Sequence, residues 1–270
     1  MKPVVLFYEF DEADAANGGT ARLASAALEH GGTLRWAGVE QQVLIGPVVK
    51  FQRACSLHFA NGTDALRFID SSAHQSAVAG LQALCVTAVS EQPRALRFVS
   101  AALAWLLPKL PLKPKIEEGE EPYSGSSIMP TPAAMAELNG QLDRTATVVM
   151  INWLKFRKEA QHESGEERIS GQRAYYRYGK VALFATHSLG AKLRHAGRYL
   201  QVLIGNDGDP ALGRWDEFAL MQYPDRKTFA HMATLAYYRK ALRHRHAGLA
   251  EQGQALTISE PDAHSVWRAK

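Results

Sequence analysis

Polar side chains stand inside the apolar stretches of residues 148–259, where a strand or a helix would turn them inward. Six are candidates for holding a small molecule: Asn152, Tyr178, Asp216, Tyr223, Tyr237 and Arg245. Buried polar and charged groups need partners, so one interpretation is structural: Asp216 pairs with Arg245 or Arg226 and fixes a helix on a sheet. The other is functional: Asn152 and Tyr237 position an oxygenated, mainly apolar ligand, and Asp216 transfers a proton. The predicted substrate-binding set is then Asn152, Tyr178, Tyr223, Arg226, Tyr237 and Arg245.

The histidines give no metal-binding pattern. Five of the ten lie between residues 187 and 246, namely His187, His195, His231, His244 and His246. His244 and His246 point in different directions on a helix, and no cysteine or carboxylate nearby completes a standard ligand set. The phosphate-binding glycine loop, G-x-S-x-G and H-E-x-x-H motifs are also absent. We therefore expect no metal and no other cofactor, with haem held by one histidine as the open alternative.

A repeated block of sequence shows which elements must position these residues. Residues 31–46 recur as residues 190–205 at an offset of 159, with ten of sixteen positions identical, where chance gives about one. The sequence therefore predicts an internal duplication. His195 stands in this block where the other copy has Trp36. It is a second candidate for proton transfer, although a surface substitution explains the difference equally well.

Both copies predict the element order β-α-β-β-α-β, which is the ferredoxin-like unit. In the second copy, hydrophobic periodicity indicates strands at 148–154, 199–204, 215–223 and 255–258, and helices at 171–189 and 225–249. The first copy repeats this with strands at 4–10, 39–46, 51–59 and 86–90, and helices at 20–30 and 63–82. Helices on one side leave the other face of each sheet apolar. We therefore predict an α+β fold in which two ferredoxin-like repeats form one intrachain, pseudo-dimeric α/β-barrel.

The domain boundaries follow from this plan. Residues 1–92 form the first repeat, 93–146 a linker, 147–260 the second repeat and 261–270 a tail. The linker contains an apolar helix, 95–107, which at about 20 Å is too short to span a bilayer. It either packs on one domain or lies on a membrane surface with the basic segment 108–115 near lipid phosphates. Residues 117–132 are expected to be exposed.

The second copy resembles a bacterial family of unknown function (DUF 1330) within the dimeric α/β-barrel superfamily. The resemblance covers residues 148–259 and depends on four stretches: 152–156 (NWLKF), 175–179 (YYRYG), 215–232 with its YPDRKTFAHM end, and 237–249 (YYRKALRHRHAGL). It implies a ferredoxin-like fold that normally pairs two chains, but no established activity. The wider superfamily includes cofactor-free monooxygenases, lactone isomerases, haem-dependent enzymes and ligand binders.

The first copy departs from the family pattern at the polar positions. Asn152 aligns with Tyr8, Asp216 with Gln52, and Tyr223 with Phe59, while Tyr238 aligns with His74. The first copy also has bulky side chains at these positions, but most of the polar groups are absent. We infer one working pocket, in the second copy, with the first copy as its structural partner.

Composition limits the remaining choices. Two cysteines, Cys55 and Cys85, and an N-terminus without a signal-peptide pattern favour a reduced, cytoplasmic protein. The net charge of +4 is small and spread out, so nucleic acid is not an expected partner; a site on Arg239, Lys240, Arg243 and Arg245 is the least favoured alternative.

The leading hypothesis is an uncharacterised barrel protein that binds a small, mainly apolar ligand in its second repeat, as a monomer with an internal pseudo-dimer or as a dimer of such chains. If it is an enzyme, we expect a cofactor-independent monooxygenase or isomerase that uses Asp216 or His195. The competing hypothesis is a non-enzymatic scaffold that contacts a membrane or a partner through residues 95–115.

Overall fold

The fold is taken from a computed structural model of the chain. It describes residues 2–12, 18–111, 114–117, 119, 126–162, 168–205, 209 and 211–260. The predicted tail, 261–270, lies outside these residues, as do parts of the basic segment 108–115 and of the stretch 117–132. The strands are β1 (Val4–Glu12), β2 (Gly32–Ile45), β3 (Arg53–Phe59), β4 (Leu81–Ser90), β5 (Val148–Phe156), β6 (Lys192–Ile204), β7 (Glu217–Tyr223) and β8 (Leu249–Ser259). The helices are α1 (Gly19–Glu29), α2 (Gly62–Ile69), α3 (Ser72–Val78), α4 (Arg94–Leu106), α5 (Pro132–Asn139), α6 (Gly171–Ser188), α7 (Arg226–Met232) and α8 (Ala236–Gly248).

The eight strands close into one antiparallel barrel in the order β1-β3-β2-β8-β5-β7-β6-β4. Each half of the chain contributes four adjacent strands, with the first strand central in each half. Two seams join the halves, where β2 pairs with β8 and β4 pairs with β6. The predicted ferredoxin-like α/β-barrel is therefore formed within one chain. The duplication that suggested it stays a prediction.

Side-chain alternation divides the core into layers. Along β1, Phe7 faces the barrel interior, where it meets the rings of Trp36, Trp153 and Phe218. Its neighbours Leu6 and Tyr8 face outward beneath the helices of the first half. The period of two in a strand produces this division, which explains why strands covered on both sides carry nearly continuous apolar runs.

Glycines occupy both seams at the matching positions of the repeated block. A Cβ atom on Gly38 would lie 3.1 Å from the Ile258 carbonyl oxygen, and one on Gly197 would lie 2.1 Å from the Ser90 carbonyl oxygen. Both distances are shorter than nearly all real Cβ contacts. Close strand approach at the two seams therefore explains why both copies have glycine here.

Two of the four predicted helices, 63–82 and 225–249, are wrong because each is divided in two, whereas 171–189 is confirmed by α6. Residues 63–82 form α2 and α3, and Ser71 caps α3 by accepting a hydrogen bond from the His74 amide at 3.1 Å. Residues 225–249 form α7 and α8, with Asp225 capping α7 through the Thr228 amide at 2.7 Å. The cap at Ser71 therefore explains the division of the first of these helices, whereas α8 begins after Leu235 without a side-chain cap.

The connecting segment packs on both halves, and its contact with the first half is at α5, where the Ala134 carbonyl accepts from Gln42 Nε2 of β2 at 2.8 Å. Helix α4 contacts α6 through Ser100, whose hydroxyl donates to His187 Nε2 at 2.8 Å, while His187 Nδ1 donates to the Leu183 carbonyl. Ile128 and Met129 are buried against the second half, so the expectation that 117–132 is exposed is wrong at these positions. None of the described helices is long and apolar enough to cross a membrane.

Candidate functional site

A cavity of about 540 Å³ lies in the second half, between α6 and the outward faces of β5, β7 and β6. Helices α4, α7 and α8 complete its wall. Because alternate residues of a strand share one face, β7 contributes Glu217, Ala219, Met221 and Tyr223 to the lining. Most of the wall is apolar, with Leu96, Leu154, Leu183, Leu193, Phe229 and Met232.

Three amide side chains form the polar floor of the cavity. Asn152 on β5 accepts hydrogen bonds at Oδ1 from Gln252 Nε2 at 3.2 Å and from Gln254 Nε2 at 2.8 Å. The two glutamines are two residues apart on β8, so they lie on the same face of the strand. Sequence analysis missed them because it began this strand at residue 255, whereas β8 begins at Leu249.

Arg245 of α8 continues this network and is only 6% exposed. Its Nε and Nη2 donate to Gln252 Oε1 at 3.1 and 2.7 Å, and Nη2 also donates to the Ile128 carbonyl at 2.6 Å. Nη1 lies 2.8 Å from the sulfur of Met129, and the guanidinium sits 5.9 Å from the centroid of the Tyr178 ring. Within the described part of the chain, the ion pairs of this half do not include Arg245.

Four tyrosines stand around the guanidinium. The hydroxyls of Tyr178 and Tyr238 are 2.9 Å apart, and the Tyr175 and Tyr178 rings are 5.5 Å apart. Burial raises the pKa of Tyr175, Tyr223 and Tyr238, so these hydroxyls are protonated at neutral pH. The Tyr175 hydroxyl has no hydrogen-bond partner among the residues that the structure describes, which leaves its proton available for a ligand.

A carboxylate lies elsewhere in the lining. Glu217 accepts a short hydrogen bond from the Tyr176 hydroxyl and another from Gln172 Nε2 at 2.8 Å. Burial raises the pKa of Glu217 above its ordinary value. A carboxyl group adjusted in this direction is better suited to accept and return a proton near neutral pH.

Four of the eight predicted site residues line the cavity: Asn152, Tyr178, Tyr223 and Arg245. Asp216 does not. Its carboxylate accepts from Lys155 Nζ at 2.9 Å and from the Phe156 amide at 2.8 Å, so the predicted pairing with Arg245 or Arg226 is wrong. The next residue, Glu217, which is the first residue of β7, enters the cavity instead.

Tyr237 is likewise outside the lining. It packs against Phe184, with ring centroids 5.9 Å apart, while Tyr238 faces the cavity. One step along a helix turns a side chain by about 100°. The pair of adjacent tyrosines was visible in the sequence, but the helix phase that separates them was not.

Arg226 and His195 also lie outside the lining. Arg226 is 1% exposed at the start of α7, and its Nη1 and Nη2 find no hydrogen-bond partner among the described residues. His195 on β6 donates from Nε2 to the Ser90 carbonyl at 3.0 Å across a seam. Burial lowers the pKa of His195 to about 4, so its imidazole is neutral at neutral pH.

Aromatic rings occupy the corresponding space in the first half. Tyr8, Phe59 and His74, which align with Asn152, Tyr223 and Tyr238, are all buried. Phe68 fills the centre, 5.4 Å from the Phe59 ring and 5.0 Å from the His74 ring. Large side chains therefore stand where the second half has its cavity.

Two alternatives from the sequence concern metal and nucleic acid. Within the described ranges, histidine, cysteine, aspartate and glutamate side chains form no group of three that could hold a metal ion. Of the four cations proposed for nucleic acid, Arg239 and Arg245 are buried. Arg239 donates to the carbonyls of Glu117 and Gly119, so this set does not form a continuous exposed surface.

Comparison with known proteins identifies the fold. No protein-family model and no curated protein matches the chain. Among solved structures, a putative monooxygenase from Fusobacterium nucleatum is 8% identical, with 96% of this chain and 92% of that chain covered and a TM-score of 0.50. A protein of unknown function from Rhodopseudomonas palustris is 26% identical over 48% of this chain and 93% of its own, with a TM-score of 0.43. Chlorite dismutase from Candidatus Nitrospira defluvii is 10% identical over 98% and 94%, with a TM-score of 0.45.

The closed barrel and the first of these likenesses define the class by fold: this chain is an eight-stranded antiparallel barrel covered by helices, and it shares that fold with the monooxygenase-like structure. At 8% identity the likeness shows the fold alone. The narrower resemblance to DUF 1330 stays a prediction.

Proposed function

We propose that the cavity of the second half binds a small, mainly apolar molecule that carries one polar group. The observation that supports this most is the convergence of Asn152, Gln252, Arg245 and Tyr175 on one cavity whose other walls are apolar. Its volume of about 540 Å³ falls within the usual range of ligand pockets. The amide network holds the polar groups in fixed positions, which favours recognition over nonspecific uptake.

A cofactor-independent isomerisation or oxygenation is the enzymatic extension of this proposal. In both reactions the proposed first step transfers a proton from a carbon of the substrate to a base and leaves negative charge on an oxygen of the substrate. The isomerisation returns the proton to another carbon, and the oxygenation takes O₂ as its oxidant. The protonated tyrosines and Arg245 are suited to stabilise that charge, and Glu217 is suited to accept the proton. Glu217 replaces Asp216 and His195 in this role because it lines the cavity and they do not.

The test of this proposal is a substitution that fills part of the cavity. Ala182 of α6 is in the lining, so Ala182→Phe should place a ring in the space that the ligand needs. Decanol and 2-naphthalenemethanol are suitable neutral probes, and isothermal titration calorimetry with the full chain measures their affinity. We expect binding to the wild type and about a tenfold or greater loss in Ala182→Phe. The control, Ala21→Phe, changes an exposed residue of α1 and should bind like the wild type; equal binding by both variants would refute the cavity as the site.

A second candidate function is supported by α4. Its inner side is buried at Ser100, but Phe98 is 75% exposed and Trp105 is 67% exposed. The sequence has no charged residue between Arg97 and Lys109, so the outer side of the helix is apolar too. A helix that is apolar on all sides is normally covered. We propose that an anionic membrane surface covers it.

Charge favours a membrane as the covering surface. Arg94 and Arg97 are exposed at one end of α4, where Arg97 Nη1 lies 3.6 Å from Glu91 Oε1. Lys109 stands just beyond the other end, with its Nζ 3.5 Å from the centroid of the Trp105 ring. No acidic residue occurs from residue 92 to 116. Cations beside exposed aromatic residues match the interface of an anionic bilayer.

A second copy of the chain is a poorer cover. A helix of 13 residues is about 20 Å long and about 10 Å wide, which offers about 200 Å², whereas a stable interface needs about 800 Å² per partner. Pairing α4 with itself would also bring cations together without a compensating carboxylate from the same segment.

Vesicle flotation tests this candidate with the full chain. We expect binding to phosphatidylcholine vesicles that contain phosphatidylglycerol, and a loss of about tenfold or more in Phe98→Ser/Trp105→Ser. Leu28→Ser is the matched control, because Leu28 is a 67% exposed apolar residue on α1. Equal flotation of the two variants would reject membrane docking, and so would a dimer in solution that the double variant dissociates.

A further inference from the structure

We infer that the ligand of the cavity is a monocarboxylate with an apolar body, and that Arg245 receives its carboxylate. This inference rests on the proposed function and specifies the chemical class of the ligand. The observation behind it is the charge of Arg245, which lies in the lining of the cavity without a carboxylate partner among the described residues.

A comparison with Arg53, another arginine of the barrel, shows that Arg245 lacks a carboxylate partner among the described residues. Arg53, which is more exposed, contacts two carboxylates: Glu12 at 2.7 Å from Nε and Glu260 at Nη1. Arg245 is more deeply buried, yet its partners are an amide oxygen, a backbone carbonyl and a sulfur atom. These groups satisfy hydrogen bonds but do not neutralise the charge. A buried ion without an opposite charge is costly, and an anionic ligand removes that cost.

The donors of Arg245 are not all used. A guanidinium has five N–H donors; at Arg245, one on Nε and two on Nη2 face strong acceptors. The Nη1 group has two N–H donors and contacts only the sulfur of Met129, which is a weak acceptor. A ligand oxygen would therefore form its strongest new hydrogen bonds with the Nη1 group.

The neighbouring groups also favour an acceptor ligand. The Tyr175 hydroxyl is protonated and free of hydrogen bonds within the described part of the chain. Asn152 Oδ1 already accepts from Gln252 and Gln254, so this end of the cavity offers few acceptors to a ligand that donates. A carboxylate accepts several hydrogen bonds and donates none. Lys180 and Arg198 of the lining are exposed, whereas Arg245 is buried. One buried guanidinium matches one negative charge, which favours a monocarboxylate over a phosphate dianion.

The remainder of the cavity defines the body of the ligand. Leu183, Met221, Phe229 and Met232 supply apolar surface from two helices and a strand. A cavity of about 540 Å³ accepts an aryl or a medium-chain aliphatic group. The predicted class is therefore an aryl or medium-chain carboxylic acid.

The test compares matched ligands that differ only in the head group: decanoate with decanol, and 2-naphthoate with 2-naphthalenemethanol. Calorimetry with the full chain should give carboxylates about tenfold or more tighter binding than the alcohols, as expected for hydrogen bonds to a charged group. Arg245→Met should reduce that ratio to about one. Arg243→Met, which removes an exposed cation of the same helix, should leave the ratio unchanged.

A second variant keeps the test decisive if Arg245→Met does not fold. Tyr175→Phe removes only a hydroxyl that has no partner in the described structure, and it should weaken carboxylate binding more than alcohol binding, by about fivefold. If the alcohols bind as tightly as the carboxylates, the inference fails and the proposed function stands. If neither class binds, the proposed function itself fails.

Discussion

Gly197 provides a sharp test of the seam between β4 and β6. A Cβ atom at this position would lie 2.1 Å from the Ser90 carbonyl oxygen and 2.9 Å from His195 Nε2. Backbone cannot rotate away as a side chain can. Gly197→Ala should therefore push β4 from β6 and break the 3.0 Å hydrogen bond between His195 and Ser90.

The expected magnitude follows from these contacts. Overpacking of this kind costs about 1–3 kcal/mol, and loss of the buried hydrogen bond adds about 1 kcal/mol. Alanine lowers the conformational entropy of the unfolded chain, which offsets about 0.4–1 kcal/mol of the lost stability. A net loss of about 1–3.6 kcal/mol in the free energy of unfolding lowers the Tm of a chain of this size by about 2–14 °C.

Gly179→Ala is the matched control. Gly179 lies inside α6, and a Cβ atom there would meet nothing within 4 Å. The same substitution should stabilise the helix by about 0.5–1 kcal/mol and raise the Tm. Differential scanning calorimetry measures both variants. A Gly197→Ala protein as stable as the wild type, or a shift of the same sign in both variants, would refute the proposed geometry of the seam.

Four further predictions concern groups outside the ligand site. Burial raises the pKa of Glu9 to about 8, so the folded protein loses stability as pH rises from about 4.5 to 8. In denaturant titrations, Glu9→Gln should increase the free energy of unfolding by up to about 3 kcal/mol at pH 7 and leave it unchanged at pH 4.5. Because burial lowers the pKa of His195 to about 4, stability should fall as pH falls from about 6.5 to 4, and His195→Gln should flatten that dependence in calorimetric scans. Asp216→Asn breaks a half-exposed ion pair and should cost under about 1 kcal/mol with unchanged ligand affinity; a large loss of affinity would show that this carboxylate serves the cavity. Arg226→Met replaces a buried guanidinium whose Nη atoms have no described partner, so the Tm should stay equal or rise, and a clear fall in thermal scans would contradict this.

The sequence predicted the architecture because architecture depends on patterns that a single chain displays. Short apolar runs identified the strands, and the repeated block aligned the two halves in one register. That block contains Gly38 and Gly197, the two glycines at the seams. The split of residues 225–249 at 233–235 was not predicted, because the period of the apolar residues continues across it.

The candidate site could be predicted only in part. Asn152, Tyr178, Tyr223 and Arg245 line the cavity, but Tyr238 and Glu217 do so in place of their neighbours Tyr237 and Asp216. Helix phase and strand face decide between adjacent residues of similar chemistry. Both are set by packing against elements far away in the chain.

The sequence by itself therefore determined the barrel, and also which half of it has polar side chains at the cavity positions. What only the tertiary structure decided is which of those groups meet. Arg245 takes a hydrogen-bond acceptor from Ile128, 117 positions earlier, and Asn152 takes donors from β8, about one hundred positions later. Local periodicity fixes which side of an element is apolar, whereas the meeting of polar side chains depends on long-range contacts that no local pattern encodes.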